Sequence, residues 1–297
     1  MKGTIIKGIA GFYYVKSGET VYRCRARGVF KEKGIKPAVG DKVEIQIGEE
    51  EDNCTVTDIL PRNNCFIRPF VANVDCFIVV TAAARPAPIL QTIDRFLVMA
   101  EKAGTDIILC LNKCDLADPE GKGASRKAAA TVETIKEIYS PIYPVVCLGE
   151  NQEEGLGELR SLIKGKAAAL AGASGVGKST ILNRLIPQAM METGEISEKS
   201  QRGKHTTRHT ELFTIDENAG TMIFDTPGFT SFDILEASEE ELQFLYPEIG
   251  KYAGNCRYDN CRHLKEPECA VKEALSKGLI SESRYESYKA QMEEIKK

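Results

Sequence analysis

The first part of the chain, from residue 3 to about residue 70, contains short stretches in which apolar and polar residues alternate. Val43, Ile45 and Ile47 alternate with polar residues, as in a strand that buries one face. Glycine and charged turns separate the strand-like stretches, which are Thr4–Val15, Val21–Ala26, Val43–Ile47 and Cys54–Leu60. Several short strands in so few residues predict a small closed β-barrel, and the five-stranded oligonucleotide-binding (OB) fold is the commonest such barrel.

One face of this predicted barrel carries basic side chains. Arg23, Arg25 and Arg27 alternate along one strand, so they share a face of it. Aromatic residues lie nearby at Tyr13, Tyr14 and Tyr22. Charge and base stacking on such a face would bind RNA. Solvated strand positions would show the same pattern, so these residues alone leave both interpretations open.

From residue 76 to residue 228, continuous apolar runs alternate with stretches of helical periodicity. The apolar runs are typical of buried strands and comprise Cys76–Ala82, Asp106–Leu111, Ile142–Cys147 and Ala167–Ala171. One predicted helix has an apolar face formed by Ile89, Ile93, Phe96, Leu97 and Ala100. Further helices are predicted over Thr131–Tyr139 and Leu156–Ile163. The alternation predicts an α/β domain, with a parallel sheet covered by helices on both faces.

A glycine-rich loop, Gly172-Ala-Ser-Gly-Val-Gly-Lys178-Ser179, follows the last of these runs and precedes a helical stretch that Pro187 ends. Its spacing, G-x-x-x-x-G-K-[ST], between a strand and a helix is that of a phosphate-binding loop. Glycines allow positive φ values that turn N–H groups inward, and Lys178 can reach the β- and γ-phosphates. The predicted nucleotide contacts are Gly172, Ala173, Ser174, Gly175, Val176, Gly177, Lys178, Ser179 (through Mg2+) and Thr180. The alternative is a chance glycine-rich turn.

The tetrapeptide Asn112-Lys-Cys-Asp115 stands at the end of the apolar run Asp106–Leu111. It resembles the N-K-x-D motif of GTPases, in which the Asp carboxylate accepts hydrogen bonds from two N–H groups of guanine. In that motif the Asn braces the phosphate loop and the Lys stem packs on the base. The predicted guanine-site residues are therefore Asn112, Lys113, Cys114 and Asp115. A tetrapeptide alone could match by accident, but its place after a buried strand favours the functional interpretation.

Two further segments have the form of nucleotide-sensitive switches. Asp225-Thr-Pro-Gly228 follows a predicted strand, which places the Asp225 carboxylate near Mg2+ and lets the Gly228 N–H sense the γ-phosphate. The earlier segment, Gly203-Lys-His-Thr-Thr-Arg-His209, contains two threonines that could bind Mg2+. The sequence does not choose between Thr206 and Thr207.

The residue after Gly228 is Phe229. Many GTPases carry a glutamine at this position, and it orients the attacking water. Phenylalanine cannot do this. His205 is the first candidate for the role, and a group donated by a partner is the second. His205 could equally face solvent or contact RNA. Slow intrinsic hydrolysis and activation by a partner are therefore predicted.

The order of these motifs is unusual. Ordinary GTPases place the phosphate loop first and N-K-x-D last. Here Asn112-Lys-Cys-Asp115 comes first, and Asp225-Thr-Pro-Gly228 comes last. The domain is therefore predicted to be circularly permuted, with the segment after Gly228 tethered directly to a nucleotide-sensitive loop.

Near the C-terminus, Cys256-x4-Cys261-x-His263-x5-Cys269 brings together three thiols and one imidazole. Such a set predicts a closed tetrahedral Zn2+ site with a structural role, the alternative being free thiols on a loop. After this segment, Ser281 can cap a last helix. Its apolar stripe, predicted to pack on the zinc segment, is Tyr285, Tyr288, Met292 and Ile295.

Length and composition narrow the class of protein. A chain of 297 residues should hold two or three domains. The start lacks the apolar core of a signal peptide and no apolar run is long enough to span a membrane, so we expect a cytoplasmic protein. Its ten cysteines are then not a disulfide framework. Six of them should be small core residues, namely Cys24, Cys54, Cys65, Cys76, Cys110 and Cys147.

The net charge of −4 gives no overall signal for nucleic acid, so RNA contacts must come from local patches. The first switch segment supplies one such basic patch, formed by Lys199, Arg202, Lys204 and Arg208. The patch could instead be solvated, or serve only the phosphates.

Barrel, permuted nucleotide domain and Cys3His segment, in this order, resemble the RsgA/YjeQ family of small ribosomal subunit biogenesis GTPases. The motifs that carry the resemblance are Asn112–Asp115, Gly172–Thr180, Gly203–Arg208, Asp225–Phe229 and Cys256–Val271. It implies an OB-fold barrel over residues 1–70, a permuted GTPase domain over 71–232 and a zinc-binding helical domain over 233–297. It also implies a monomer that uses GTP, Mg2+ and one Zn2+, binds the 30S subunit and 16S rRNA, and is stimulated by that subunit.

Two other hypotheses remain. One is an RNA-binding assembly protein whose nucleotide site only stabilises or regulates it. The other is a GTPase that serves a protein target rather than the ribosome.

Overall fold

The computed structural model describes residues 1–32, 34–48, 54–117, 126–150, 153–186, 210–226, 229 and 237–296. The chain forms two compact units, each built from separated segments. The first comprises Met1–Cys76, Arg160–Leu170 and Ser179–Phe229, and the second comprises Phe77–Leu159, Ala171–Lys178 and Thr230–Lys297.

The N-terminal part of the first unit is a closed five-stranded barrel, as the alternating pattern predicts. Its strands are β1 (Lys2–Ile9), β2 (Phe12–Ser17), β3 (Thr20–Ala26), β4 (Lys42–Gln46) and β5 (Cys54–Ile59). They pair in the order β1-β2-β3-β5-β4, and β4 pairs back with β1, which closes the barrel. Helix α1 (Gly28–Glu32) follows β3. The barrel core is formed by Ile5, Val15, Cys24, Phe30, Val43, Ile45, Cys54 and Val56.

The predicted single stretch Thr4–Val15 is two strands, because the chain turns at Ala10 and Gly11. Both residues have positive φ values, 51° and 83°. This turn makes β1 and β2 a hairpin, with Ile9 opposite Phe12. After the barrel, a second hairpin joins β6 (Cys65–Ile67) and β7 (Phe70–Ala72).

The remaining strands of the first unit extend this sheet. They are β11 (Ala167–Ala171), β12 (Glu211–Asp216) and β13 (Thr221–Asp225), in the order β11-β13-β12-β1. Strand β11 runs parallel to β13, whereas β12 is antiparallel to β13 and to β1. An ion pair of 3.1 Å between Lys7 and Glu211 marks the contact of β1 with β12.

The second unit contains the strands β8 (Cys76–Ala82), β9 (Asp106–Asn112) and β10 (Val145–Cys147), in the order β10-β9-β8. Strands β9 and β10 are parallel. The helices between and after them are α2 (Leu90–Lys102), α3 (Arg126–Tyr139) and α4 (Glu153–Leu162), whose last residues belong to the first unit. Helix α5 (Lys178–Leu185), which follows β11, belongs to the first unit from Ser179 onward. A 3₁₀ turn spans Cys114–Ala117.

Two sequence predictions in this unit were wrong in detail. Ile89 is 64% exposed and not part of the buried helix face, because it precedes the first residue of α2. The predicted strand from Ile142 begins only at Val145. The N–H groups of Ile142 and Tyr143 instead donate to the carbonyl of Tyr139, which leaves them unavailable to a strand.

The C-terminal part of the second unit is helical. Its helices are α6 (Glu239–Leu242), α7 (Pro247–Ala253), α8 (Ala270–Ser276) and α9 (Glu282–Ile295), with a 3₁₀ turn at Gln243–Leu245. Tyr285, Tyr288 and Met292 of α9 pack in one core with Cys261 and Cys269, as predicted for the apolar stripe.

The predicted cap of α9 was wrong in its chemistry. Ser281 occupies the cap position but makes no capping hydrogen bond. Its Oγ instead lies 3.0 Å from Ser283 Oγ. Side-chain capping does occur at α6, where Ser238 and Glu241 form a capping box.

The prediction of six core cysteines is confirmed for Cys24, Cys54, Cys76 and Cys110, which are buried. It is wrong for Cys65, which is exposed on the β6–β7 hairpin, and for Cys147, which is half-buried at the end of β10. Across the described residues, we find no helix with the length and apolarity that crossing a bilayer would take.

Candidate functional site

The phosphate-loop motif forms a tight turn between the C-terminal end of β11 and the first residue of α5. Gly172, Gly175 and Gly177 have φ values of 141°, 79° and 99°, which residues other than glycine rarely adopt. A Cβ atom at Gly172 would also overlap the carbonyl oxygen of Val80. The motif glycines are therefore required by backbone conformation and by the close approach of β8.

The ammonium group of Lys178 lies inside this loop. Its Nζ donates to the carbonyls of Gly172 and Ala173, each at 2.7 Å. Burial lowers the pKa of Lys178, because desolvation disfavours its charged form. A phosphate group beside Nζ would supply the opposite charge that this environment lacks.

Asn112 connects the two sequence motifs. It ends β9, is buried, and donates from Nδ2 to the carbonyl of Val176 in the phosphate loop at 2.9 Å. A Cβ atom at Gly177 would overlap this amide nitrogen. The guanine motif and the phosphate loop therefore meet at a hydrogen bond that only glycine at residue 177 permits.

The next residue, Lys113, adds a second link. Its φ of 62° turns the chain sharply at the end of β9. Its ammonium group donates to the carbonyl of Gly175 at 2.9 Å and also to that of Arg85. Sequence reasoning missed Arg85, because a backbone carbonyl leaves no signature in the side-chain pattern.

Asp115 lies in the 3₁₀ turn that follows, with its side chain half-buried. One carboxylate oxygen accepts a hydrogen bond from the backbone N–H of Glu150 at 3.2 Å. Glu150 was likewise missed, since its contribution also comes from the backbone. The same strand end carries Cys114, which is buried.

The other predicted site residues are placed as follows. Ser179 and Thr180 are exposed in the first turn of α5, and Asp225 is half-buried at the end of β13. Phe229 is fully buried and packs edge-on against Phe66 of the β6–β7 hairpin, with ring centroids 5.5 Å apart. Its side chain is committed to apolar packing. His205, Thr206, Thr207, Gly228 and the basic patch at Lys199, Arg202, Lys204 and Arg208 lie outside the described residues.

The second site is the cysteine–histidine cluster. Cys256, Cys261, His263 and Cys269 each offer one ligand atom, and these atoms lie within 4.8 Å of one another. His263 Nδ1 is 3.4 Å from the sulfurs of both Cys256 and Cys269, which are 3.8 Å apart. Such a cluster could hold a metal ion.

The imidazole of His263 is oriented by Gln243. Its Nε2 lies 2.8 Å from Gln243 Oε1, so Nε2 donates and Nδ1 is left as the ligand atom facing the cysteines. Burial lowers the pKa of His263, which favours the neutral imidazole that metal binding needs. Gln243 was not singled out from the sequence, because it precedes His263 by 20 residues and belongs to no motif.

A buried ion-pair network joins α9 to α2 and α7. Arg284 is fully buried and donates to Asp94 at 2.8 Å and to Glu248 at 2.7 Å. Its guanidinium lies 4.4 Å from the ring centroid of Tyr246. The sequence gives little sign of this network, because its members are scattered over 190 residues.

Comparison with known proteins adds independent findings. The RsgA GTPase family profile matches residues 59–235, and the RsgA N-terminal domain profile matches residues 2–54. Two curated relatives, from Agathobacter rectalis and Alkaliphilus metalliredigens, are named small ribosomal subunit biogenesis GTPase RsgA. Each is 44% identical, over 100% of this chain and 98% of its own length.

Two solved structures share the fold. YjeQ from Thermotoga maritima matches with a TM-score of 0.83 at 34% identity, over 99% of this chain and 98% of that one. YloQ, described as a circularly permuted GTPase, matches with a TM-score of 0.81 at 34% identity, over 99% of this chain and 94% of that one.

Proposed function

Because the chain belongs to the RsgA GTPase family, we propose that it binds GTP between its two nucleotide motifs and hydrolyses it to GDP and phosphate. The observation that carries this proposal is the 2.9 Å hydrogen bond from Asn112 to Val176. It fixes the guanine motif against the phosphate loop, so that one nucleotide can reach both.

Each motif residue has a role in this proposal. The Asp115 carboxylate accepts the two guanine N–H groups, and the Lys113 stem lies along the base. The loop from Gly172 to Gly177 presents N–H groups to the phosphates, and Lys178 neutralises their charge. Ser179, Asp225 and one of Thr206 and Thr207 would hold Mg2+, which neutralises charge that develops on the phosphate oxygens.

Positioning of the attacking water needs a group other than residue 229. The Phe229 side chain is buried against Phe66, so it cannot reach a water molecule in the site. We assign this role to His205, or to a group supplied by the partner. Hydrolysis by the isolated protein is therefore slow, and the partner accelerates it.

Guanine recognition is tested by changing Asp115 to Asn. The amide can accept from the purine N1–H and donate to the C2 carbonyl of xanthine, whereas the C2 amino group of guanine loses its acceptor. Asp115→Asn should lose about 1–3 kcal/mol of GTP binding free energy, because the C2 amino group of guanine is left buried without an acceptor. The variant should bind xanthosine triphosphate better than GTP. Glu133→Gln, an exposed carboxylate of α3, is the matched control. Unchanged GTP preference in Asp115→Asn would overturn the guanine assignment.

We also propose that the cysteine–histidine cluster binds one structural Zn2+. Two sulfurs bound to one tetrahedral zinc ion at about 2.3 Å lie about 3.8 Å apart, which agrees with the separation of Cys256 and Cys269. Three thiolates and one imidazole leave no open position, so the ion would stabilise the fold and take no part in hydrolysis.

The proposed partner is the small ribosomal subunit. We propose that the chain acts on this subunit as a monomer, in the cytoplasm, during late maturation. The names of the curated relatives support the subunit. The barrel supports contact with 16S rRNA, because Arg23 and Arg25 lie over the Phe12 ring, at 4.0 and 4.8 Å from its centroid. Cationic groups beside an aromatic ring suit a phosphate backbone and an unstacked base.

Co-sedimentation with purified small subunits at increasing salt tests this RNA contact. Arg25→Ala should weaken binding and reduce the salt slope by about 1, since one phosphate contact is lost. Lys277→Ala, at an exposed cation at the end of α8, is the control. A salt-independent interaction would argue for a protein target in place of RNA.

A second candidate function is that of an RNA-binding assembly protein whose nucleotide site only stabilises it. The same Phe12–Arg23–Arg25 surface favours it. Subunit binding without any change in GTP turnover would select this alternative.

A further inference from the structure

Two cysteines lie at the strand ends that form the proposed guanine site. Cys114 stands between Lys113 and Asp115, is 8% exposed, and donates from Sγ to the carbonyl of Leu111 at 3.1 Å. Cys147 is the last residue of β10 and is half-buried. The proposed hydrolysis uses neither thiol.

The backbone holds these two residues against each other. Leu148 donates its N–H to Leu111, and Cys114 donates its N–H to Leu148, both at 2.8 Å. Leu148, the residue after Cys147, is therefore hydrogen-bonded both to Cys114 and to Leu111, which precedes Cys114 by three residues. Within this arrangement the two thiols lie close enough to perturb each other's ionisation.

The two sulfurs differ in their chemistry. Interaction with the Cys114 thiol, helped by the nearby Lys136 ammonium, lowers the pKa of Cys147 to about 6. The pKa of Cys114 is raised by its interaction with the Cys147 thiol and by burial. At neutral pH the half-exposed cysteine is therefore the thiolate nucleophile, and its buried neighbour is the thiol.

We infer that Cys114 and Cys147 are a redox modification site, at which a peroxide converts the two thiols into a reversible disulfide that weakens guanine-nucleotide binding. The inference rests on the proposed guanine site, because it is the position of Asp115 that the disulfide would change. Cytosolic disulfides, where they occur, are mostly transient and regulatory.

The reaction is balanced in two steps. The Cys147 thiolate attacks one oxygen of hydrogen peroxide, the O–O bond breaks, and hydroxide leaves as a sulfenic acid forms. The Cys114 sulfur then attacks the Cys147 sulfur and the S–O bond breaks. The departing hydroxyl takes the Cys114 proton and leaves as water. The hydroxide from the first step takes up the proton that Cys147 released on ionisation. In total, the two thiols are oxidised by two electrons and the peroxide is reduced to two molecules of water.

The effect on binding follows from the position of Cys114. Its sulfur would exchange the hydrogen bond to Leu111 for a covalent bond of about 2.05 Å to Cys147. The adjacent Lys113 and Asp115 must move with the backbone. A shift of about 1 Å in such a site can reduce function by 100-fold, so we expect affinity for GDP to fall by about ten-fold or more.

Another cysteine pair in the described residues provides an internal contrast. Cys24 and Cys54 are register partners on β3 and β5, but both are buried in the barrel core. Burial raises the pKa of Cys24 to about 12, which disfavours its thiolate, and the burial of both residues keeps peroxide from the pair. A peroxide should therefore oxidise the pair at the guanine site and leave the barrel pair reduced.

The experiment uses the full-length, zinc-loaded protein with hydrogen peroxide and, afterwards, dithiothreitol. Trypsin cleaves after Lys113 and so separates Cys110 from Cys114, which lets mass spectrometry assign the disulfide. A fluorescent GDP analogue reports the affinity of each variant before and after oxidation, so that every protein is its own reference. Cys147→Ser is the test variant, and Cys65→Ser, at an exposed cysteine, is the control.

The expected result is a Cys114–Cys147 disulfide in the wild type and in Cys65→Ser, with an affinity loss that dithiothreitol reverses. Cys147→Ser should show neither the disulfide nor a reversible loss. Absence of this disulfide, or its formation without a change in affinity, would overturn the inference. Failure of the proposed function is distinguishable, because the reduced protein would then show no preference for guanine nucleotides at all.

Discussion

At the scale of single residues, the contact between the two nucleotide motifs depends on one close approach. Gly177 has a φ of 99°, and its Cα faces the amide of Asn112. The hydrogen bond from this amide to Val176 joins the two nucleotide motifs. Any side chain at residue 177 would strain the backbone and push Asn112 away.

Replacing Gly177 by Ala should therefore abolish tight nucleotide binding. The strained backbone costs of the order of 1–3 kcal/mol, and the lost hydrogen bond adds to this. Gly157→Ala is the matched control, because residue 157 lies within α4 with open space around it. Isothermal titration calorimetry with GDP measures the affinity of both variants, and the control should bind GDP normally. Thermal unfolding of the control should occur at a slightly higher temperature than that of the wild type. Equal affinity in the two variants would refute the close approach.

What the sequence could reveal at this scale was limited to side-chain identity. The motif letters marked Asn112 and Asp115 as guanine-site candidates, because their spacing after a buried strand is informative. They could not reveal the carbonyl of Arg85 or the N–H of Glu150, since every residue carries these groups. Cys147 was predicted to lie in the core because it ends an apolar run, but a strand end is half open to solvent.

At the scale of secondary-structure elements, the C-terminal helix α9 is held to α2 by two different ion pairs. Arg284 of α9 meets Asp94 of α2 in a fully buried pair. Arg95 of α2 meets Glu294 of α9 in a partly exposed pair. The same two helices thus offer a direct comparison of buried and exposed charges.

Substitution of Arg284 by Met should cost about 3–5 kcal/mol of unfolding free energy, because Asp94 is left buried without its partner. Arg95→Met should cost only about 0–1 kcal/mol, since water screens the exposed pair. Urea unfolding followed by circular dichroism measures both. The double variant Asp94→Leu/Arg284→Met should recover part of the loss. A loss in Arg284→Met no larger than in Arg95→Met would contradict the structure's account of this network.

The metal segment makes a separate prediction at the same scale. Gln243 fixes the His263 ring through a 2.8 Å hydrogen bond, so Gln243→Leu should lower zinc affinity by about 10–100-fold. Competition with a chromophoric chelator measures the affinity. Gln91→Leu, at an exposed residue of α2, should leave it unchanged. No difference between these variants would mean that the ring is oriented by other contacts.

Periodicity predicted most elements but not where they begin. The barrel strands and the α/β alternation followed from burial on one or both faces, which the apolar pattern records. The turn at Ala10 and Gly11 was missed, because apolar residues continue through it. The late start of β10 was missed because the N–H groups of Ile142 and Tyr143 close a helix end, and apolar content does not report hydrogen-bond partners.

At the scale of the whole molecule, the motif order determines what the switch is connected to. The motif at residues 112–115 comes first and the segment Asp225–Gly228 comes last, so the C-terminal helical part, which carries the cysteine–histidine cluster, follows this segment in the chain. The switch-adjacent Phe229 also packs on Phe66, in the hairpin that follows the barrel. A change of nucleotide at this segment would thus reach the hairpin that adjoins the barrel, which is the part we propose to bind RNA.

The central claim, that this chain is a GTPase switch triggered by the small ribosomal subunit, is tested most directly by GTP turnover. Phosphate release should be measured for the purified protein with and without isolated small subunits, with Lys178→Ala as the inactive reference. We predict slow turnover alone and a stimulation of at least about ten-fold by the subunits, because Phe229 cannot position water and the partner completes the site. Binding to the subunits with no rise in turnover would contradict the account and indicate an RNA-binding assembly protein.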